Sequence, residues 1–233
     1  MKNNISAVHV RDLVDNLKEV ETLLRIHEKI SGKKPGNRAS VNVLNKSGIV
    51  LLVACWEAFV EDLAEASFNH LLKKAATHDV FTEKVRALAS EYLLSSLDKR
   101  KIWDLAGEGW KKVLTEHKLS VISKYLGRFN TAKIEPIDEL FENLIGMKSV
   151  SKHWHWQGTT NENICSRLDK LITLRGEIAH RVRSKNTVLK ADVESALELI
   201  QNLAAIMSNR VRSYLFLRTR SFPWGGVKYG KRK

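Results

Sequence analysis

Three observations predict an all-α fold. Apolar residues recur at i, i+3, i+4 spacing through long stretches of the 233-residue chain. No segment alternates apolar and polar residues with period two, and the breaks between stretches carry glycine, proline or serine.

The first stretch, Val8 to Ile30, holds helical spacing and stops at Ser31-Gly-Lys-Lys-Pro-Gly36. A long helix is predicted from about Val41 to Lys74, with its most apolar centre at Ile49 to Val60. Residues 80 to 127 divide into two or three shorter helices, broken near Ser95-Ser96-Leu97-Asp98 and around Gly107 to Gly109. A loop begins at Phe129-Asn130-Thr131, and Pro136 suits the first turn of a short helix, Ile137 to Leu144. Gly146 to Asn163 is a polar connection, and Trp154 and Trp156 are expected to pin it to the body of the protein. Two long helices follow, roughly Asn163 to Arg183 and Lys190 to Arg218. Asp192 and Glu194 near the start of the last one, with arginines near its end, complement the helix dipole. The expected organisation is one all-α domain over residues 1–220, with long core helices and a central insertion of short ones. A basic tail, 221–233, follows it, and from Phe222 onward it is expected to be poorly ordered.

The formal net charge is +13, which favours a polyanionic partner, with nucleic acid ahead of a membrane surface. No acidic residue follows Glu198, whereas Arg210, Arg212, Arg218, Arg220, Lys228, Lys231, Arg232 and Lys233 do. Phe216, Phe222, Trp224 and Tyr229 are interleaved with those charges, a pattern suited to phosphate contact with base stacking rather than to sequence-specific readout. Cys55 and Cys165 lie far apart in apolar helical contexts, and the N-terminus lacks the apolar core of a secretory signal. Reduced thiols and a cytoplasmic location are therefore expected. The longest apolar run, Gly48 to Trp56, ends at Glu57 and is too short to span a bilayer, so no membrane association is expected.

The segment Arg175-Gly-Glu-Ile-Ala-His180 carries the most chemistry. At about 100° per residue, Leu168, Leu171, Ile172, Ile178, Ala179 and Val182 form one apolar stripe, and Arg175 lies in its middle. A cation there needs a partner. Glu57 poses the same problem, because it shares a helix face with Ile49, Val50, Val53, Val60 and Ala64. We expect these two helices to pack, with Glu57 holding Arg175 by charge-assisted hydrogen bonds. A buried ion pair that only sets helix register would look the same. His180 lies on the border of the stripe, and its side chain exchanges protons near neutral pH. Gly176 sits one turn before it, at a cost of about 1 kcal/mol relative to alanine, which suggests close approach by a helix, a subunit or a ligand. Arg183 lies on the same flank, and Glu177 is the nearest polar neighbour of the pair. Two other chemistries are disfavoured. His153 and His155 have no third metal ligand nearby, and Cys55 lies within an apolar helix.

Arg175 and His180 match an arginine, four to six residues, then a histidine on a late core helix. That pattern resembles the HEPN superfamily of small α-helical domains, many of them metal-independent ribonucleases. Gly48 to Val60 resembles the first long helix of the branch found at RNA-repair and defence loci. Lys101 to Gly107, Phe129 to Lys133, Ile137 to Phe141 and Trp154-His-Trp156 are similar to the same branch, so the resemblance runs from about residue 40 to 215. Two positions depart from the pattern. Gly176 stands where Asn, Asp or His is usual, and Arg181 stands where glycine often follows the histidine.

The resemblance implies a two-fold homodimer in which the motif-bearing helices face each other across one cleft. It implies cleavage of RNA through the substrate's own 2′-hydroxyl, with no cofactor and no metal. His180 would move the proton, Arg175 would stabilise charge on the phosphate, and Glu57 would orient Arg175. Arg183 and the tail residues Arg218, Arg220 and Lys228 would hold the RNA backbone. A defence or toxin-type effector with an antitoxin or regulatory partner fits this reading. The alternative is a catalytically weak module that binds RNA or a protein.

Overall fold

The longest helix lies at the centre because it is apolar on nearly every side. In the computed structural model, which describes residues 6–31, 41–96, 98–126, 132–181 and 187–228, this helix is α2 (Asn42–Lys74). Ile49, Leu52, Val53, Trp56, Phe59, Val60, Leu63, Ala64, Phe68 and Leu71 along it are buried. By length and composition alone α2 could cross a membrane, but here it packs mainly against four neighbouring helices, with Val43 and Leu51 left exposed. These are α1 (Val8–Ser31), α5 (Ile134–Ile145), α6 (Asn161–Arg181) and α7 (Lys190–Thr219). Burying each large apolar side chain contributes about 1.5–3 kcal/mol, so this one helix anchors most of the core.

α1 and α7 line the same side of α2. His9 of α1 meets Ser208 of α7 at 2.8 Å, and Lys190 meets Glu28 at the other end, so the two helices run antiparallel. The central insertion consists of α3 (Glu83–Ser95), a 3-10 turn at Lys99–Leu105 and α4 (Gly109–Leu126). Breaks at Ser96, Asp98 and 106–108 separate these elements, close to the predicted positions. Asp98 caps the turn by accepting from the Arg100 amide at 3.1 Å. α5 begins three residues earlier than predicted, so Pro136 lies at its third position and still within the first turn. Gly146 ends α5 at φ 76°, in the left-handed region. Its amide donates to Glu142 and the next amide, Met147, donates to Phe141, which closes the carbonyls of the last turn. Among the described residues no strand forms, and the only bridge pairs Trp156 with Thr159.

The tail departs from expectation over residues 221–228. Trp224 is buried and meets the His9 ring edge-on at a centroid distance of 4.5 Å. Arg212 donates to the Trp224 carbonyl at 2.7 Å, and Asn209 bonds both the amide and the carbonyl of Val227. Phe222 stacks on Phe216 at 4.1 Å, with the Arg212 guanidinium 3.7 Å from its ring centre. Of the aromatic residues that the sequence offers for base stacking, Trp224, Phe216 and Phe222 are thus engaged in packing within the chain, and Tyr229 lies outside the described residues.

Candidate functional site

α6 is set on α2 by its N-terminal anchor. Asp138 of α5 accepts from both the amide and the hydroxyl of Ser151, at 2.8 and 2.6 Å. Asn161, the first residue of α6, donates to the carbonyls of Ser151 and Trp154. Trp154 is fully buried and lies edge-on to Trp56 of α2, so the tryptophan-bearing connection belongs to the main core. Apolar packing through Ile164, Leu168, Leu171 and Ile172 then carries α6 along α2.

This docking brings Arg175 to Glu57, with Nη2 and Oε2 3.6 Å apart and the two side chains only 20% and 12% exposed. That separation is an ion-pair distance, longer than the hydrogen bond expected between these atoms. Burial raises the Glu57 carboxyl above its usual range, while the Arg175 charge and the Ala132 backbone amide pull it down. The net direction is upward, so desolvation outweighs attraction. A partly buried pair of this kind is weak evidence for stability, because desolvation offsets much of the attraction. Glu61, one turn along α2, is also raised by burial and by the neighbouring Asp62 and Glu57.

Ala132 is the participant that sequence reasoning missed. It is fully buried, its carbonyl accepts from the Trp56 indole at 3.3 Å, and its amide faces Glu57. Its signal lay in the resemblance of Phe129 to Lys133, but backbone atoms do the work and alanine carries no chemical mark. Lys133, next in the chain, reaches Asp169 of α6 at 3.3 Å.

On the outer side of α6, His180 and Glu177 are exposed. Ala179, expected in the apolar stripe, is exposed as well, whereas Ile178 beside it is buried. Val182 and Arg183 lie outside the described residues. Gly176 has an ordinary helical backbone, and a Cβ built there meets nothing within 4 Å. No part of the described chain uses the close approach this glycine offers. Gly176→Ala is therefore expected to raise the unfolding free energy by about 0.5–1 kcal/mol through helix propensity. It is also expected to reduce activity on RNA; denaturant unfolding and a cleavage assay on one preparation check both signs.

The remaining basic residues are spread widely. Arg218 and Arg220 are exposed at the C-terminal end of α7, which is about 40 Å from its start by helical rise. Arg218 borders a cleft with Thr82, Lys84, Gly146 and Lys148, beside the end of α5, whereas His180 lies at the C-terminal end of α6, away from the α5 and 150–153 segments that anchor the start of that helix. Lys228 borders a separate cleft between α1 and α7. The structure thus joins Glu57 to Arg175 on the helix that carries His180, and it sets the three tail residues apart from them within one chain. His153 and His155 are exposed, and among the described residues no group of three His, Cys, Asp or Glu side chains could hold a metal ion. Cys55 is buried and its thiol is raised by burial, which disfavours the thiolate.

No curated protein and no solved structure matches the chain. The RiboL-PSP-HEPN family profile does, over residues 11–212, from the first turn of α1 to the last third of α7. That span contains the all-α bundle, its insertion and the Arg175–His180 segment, and the chain belongs to the RiboL-PSP-HEPN family.

Proposed function

We propose that this protein is a metal-independent endoribonuclease, acting in the cytoplasm as a defence or toxin-type effector. The observation that carries this reading is Arg175, held by Glu57 at the edge of the core, with His180 exposed on the same helix. HEPN domains are in general ribonucleases, and membership supports an RNA-directed, nuclease-type function.

The chemistry follows from the side chains. The ribose 2′-oxygen attacks the adjacent phosphorus and loses its proton, the bond to the 5′-oxygen breaks, and that oxygen gains a proton. The products are a 2′,3′-cyclic phosphate and a 5′-hydroxyl. His180 carries the proton, and exposure gives it access to the substrate. Arg175 stabilises the charge on the phosphate oxygens with its planar fork of donors. Glu57 limits the orientations of that guanidinium. Arg183 holds the backbone near the scissile bond. Arg218, Arg220 and Lys228 engage more distant parts of a long RNA, so their loss weakens binding without changing the cleavage step.

We place the active form as a homodimer. Val43, Leu51 and Ala54 of α2 share one face with Ala58, next to the side that carries Glu57, and the first two are 62% and 39% exposed. Two copies joined near this face would set both α6 helices across a cleft. A neutralising or regulatory protein partner is expected for an effector that cuts cellular RNA.

A second reading has its own observation. No polar group from elsewhere in the described chain fills the space beside Gly176. A family member without that group would bind RNA or a protein and cut poorly. Wild type and His180→Ala, incubated with mixed cellular RNA in EDTA and followed by chemical mapping of the ends, separate the two. Cleavage by wild type alone with cyclic-phosphate ends supports the nuclease. Binding by both proteins with cleavage by neither favours the module, and activity abolished by EDTA rejects the mechanism.

A further inference from the structure

Lys133 and the outer face of α6 form a connected surface that ends at His180 and whose other residues have no part in the cleavage step. Asp169, Thr173, Gly176 and His180 stand at i, i+4, i+7 and i+11, so they fall within about 60° of one another around the helix. Asp169, Thr173 and His180 are exposed, Gly176 is partly so, and the space over Gly176 is open. This track is about 16 Å long by helical rise. No large side chain stands on it. Lys133 closes the end remote from His180, with its ammonium 3.3 Å from the Asp169 carboxylate and both side chains about half exposed, at 42% and 54%. Lys133 is also fixed in the chain. The preceding residue, Ala132, is buried between Trp56 and Glu57, so the lysine backbone is tied to the frame that holds Arg175.

An exposed ion pair of this kind contributes little to stability. A strand phosphate can displace the carboxylate, because pairing the ammonium with one charge of a polyanion releases condensed counterions. The stripe leads directly from that ammonium to His180, and the missing side chain at Gly176 lets a sugar-phosphate strand lie against the helix backbone.

We propose that single-stranded RNA runs along the Asp169–Thr173–Gly176–His180 stripe and that Lys133 holds a backbone phosphate at its far end. This rests on the nuclease reading above and extends it to the path of the substrate. Lys133 is a binding residue, and Asp169 keeps it in place until the phosphate arrives. The carboxylate opposes the RNA, so the two partners have opposite effects on affinity.

The test uses the full chain and a single-stranded oligouridine with 2′-O-methyl groups, which lacks the attacking hydroxyl. Dissociation constants are measured over a range of salt for wild type, Lys133→Ala, Lys133→Arg and Asp169→Asn, with thermal unfolding as a control for folding. Lys133→Ala is expected to weaken binding and lower the slope of log Kd against log salt by about 0.7, one phosphate contact on a single strand. Lys133→Arg retains the slope, and Asp169→Asn binds more tightly than wild type. An unchanged slope in Lys133→Ala, with wild type binding normally, overturns the proposed path and leaves the nuclease reading intact. Equal weakening by Lys133→Ala and Asp169→Asn also overturns it, since the pair would then only brace the loop. Failure of wild type to bind the strand overturns the proposed path, and the nuclease reading is then judged separately by cleavage of mixed cellular RNA in EDTA.

Discussion

Arg175→Ala is expected to abolish RNA cleavage and to lower the unfolding free energy by about 2–3 kcal/mol. The value lies below that for a fully dry pair because both side chains keep some exposure. Removing the cation leaves the Glu57 carboxylate buried without its main attraction, and the carboxyl rises further. The sign of the pH dependence follows. A carboxyl raised in the folded state favours that state once it is protonated, so the deficit is full above its folded value. It shrinks as pH falls through that value. Replacing both residues, with Glu57→Met and Arg175→Met together, removes the buried charges and is expected to restore most of the stability while cleavage stays absent. Denaturant unfolding at several pH values, with a cleavage assay, separates these outcomes. A double variant as unstable as Arg175→Ala would show that the pair holds the helices in register, against the reading that it is kept for chemistry.

Acid is expected to weaken the fold through His9. This ring is buried among Phe59 of α2, Ser208 of α7 and Trp224 of the tail, and burial lowers its pKa to about 4 against a modest opposing pull from Asp12. The unfolded chain takes up a proton near 6.5, which the folded chain refuses until about 4. Stability from the neutral ring is therefore complete above about pH 6.5 and falls as pH drops towards 4, by about 3 kcal/mol over the window. His9→Gln keeps a polar group opposite Ser208 and cannot take up that proton. Unfolding midpoints measured from pH 7 to pH 4 should fall more steeply in wild type than in this variant. Parallel curves would mean that the ring titrates normally and that the packing of Trp224 on it does not exclude the charge.

The helices were legible because each carries its own repeat. α1, α2 and α7 begin and end within one or two residues of the breakers and polar residues that mark them, since local backbone chemistry decides those ends. Glu57 and Arg175 were legible for a related reason: a charge in the middle of an apolar stripe is a local anomaly that requires a distant partner. Ala179 and the tail were misjudged for the opposite reason. Whether an apolar residue is covered depends on where the neighbouring helix stops, and no repeat within α6 records where α2 lies beyond it. Trp224 stands between a proline and two glycines in sequence, yet it is buried against His9 of α1 and tied to Arg212 of α7.

Sequence by itself determined the all-α class, the order of the helices and the Arg175–His180 segment, because periodicity, breakers and side-chain type are properties of short stretches of chain, and the family followed from the match over residues 11–212. Only the tertiary structure decided that Ala132 presents its backbone to Glu57 and Trp56 and that Lys133 meets Asp169. It alone decided that Gly176 faces open space, and that Arg218 and Arg220 lie at the far end of the bundle from His180. Those facts depend on how helices of unequal length pass one another. Packing sets that geometry through contacts between residues remote in the chain, which leave no mark on local sequence.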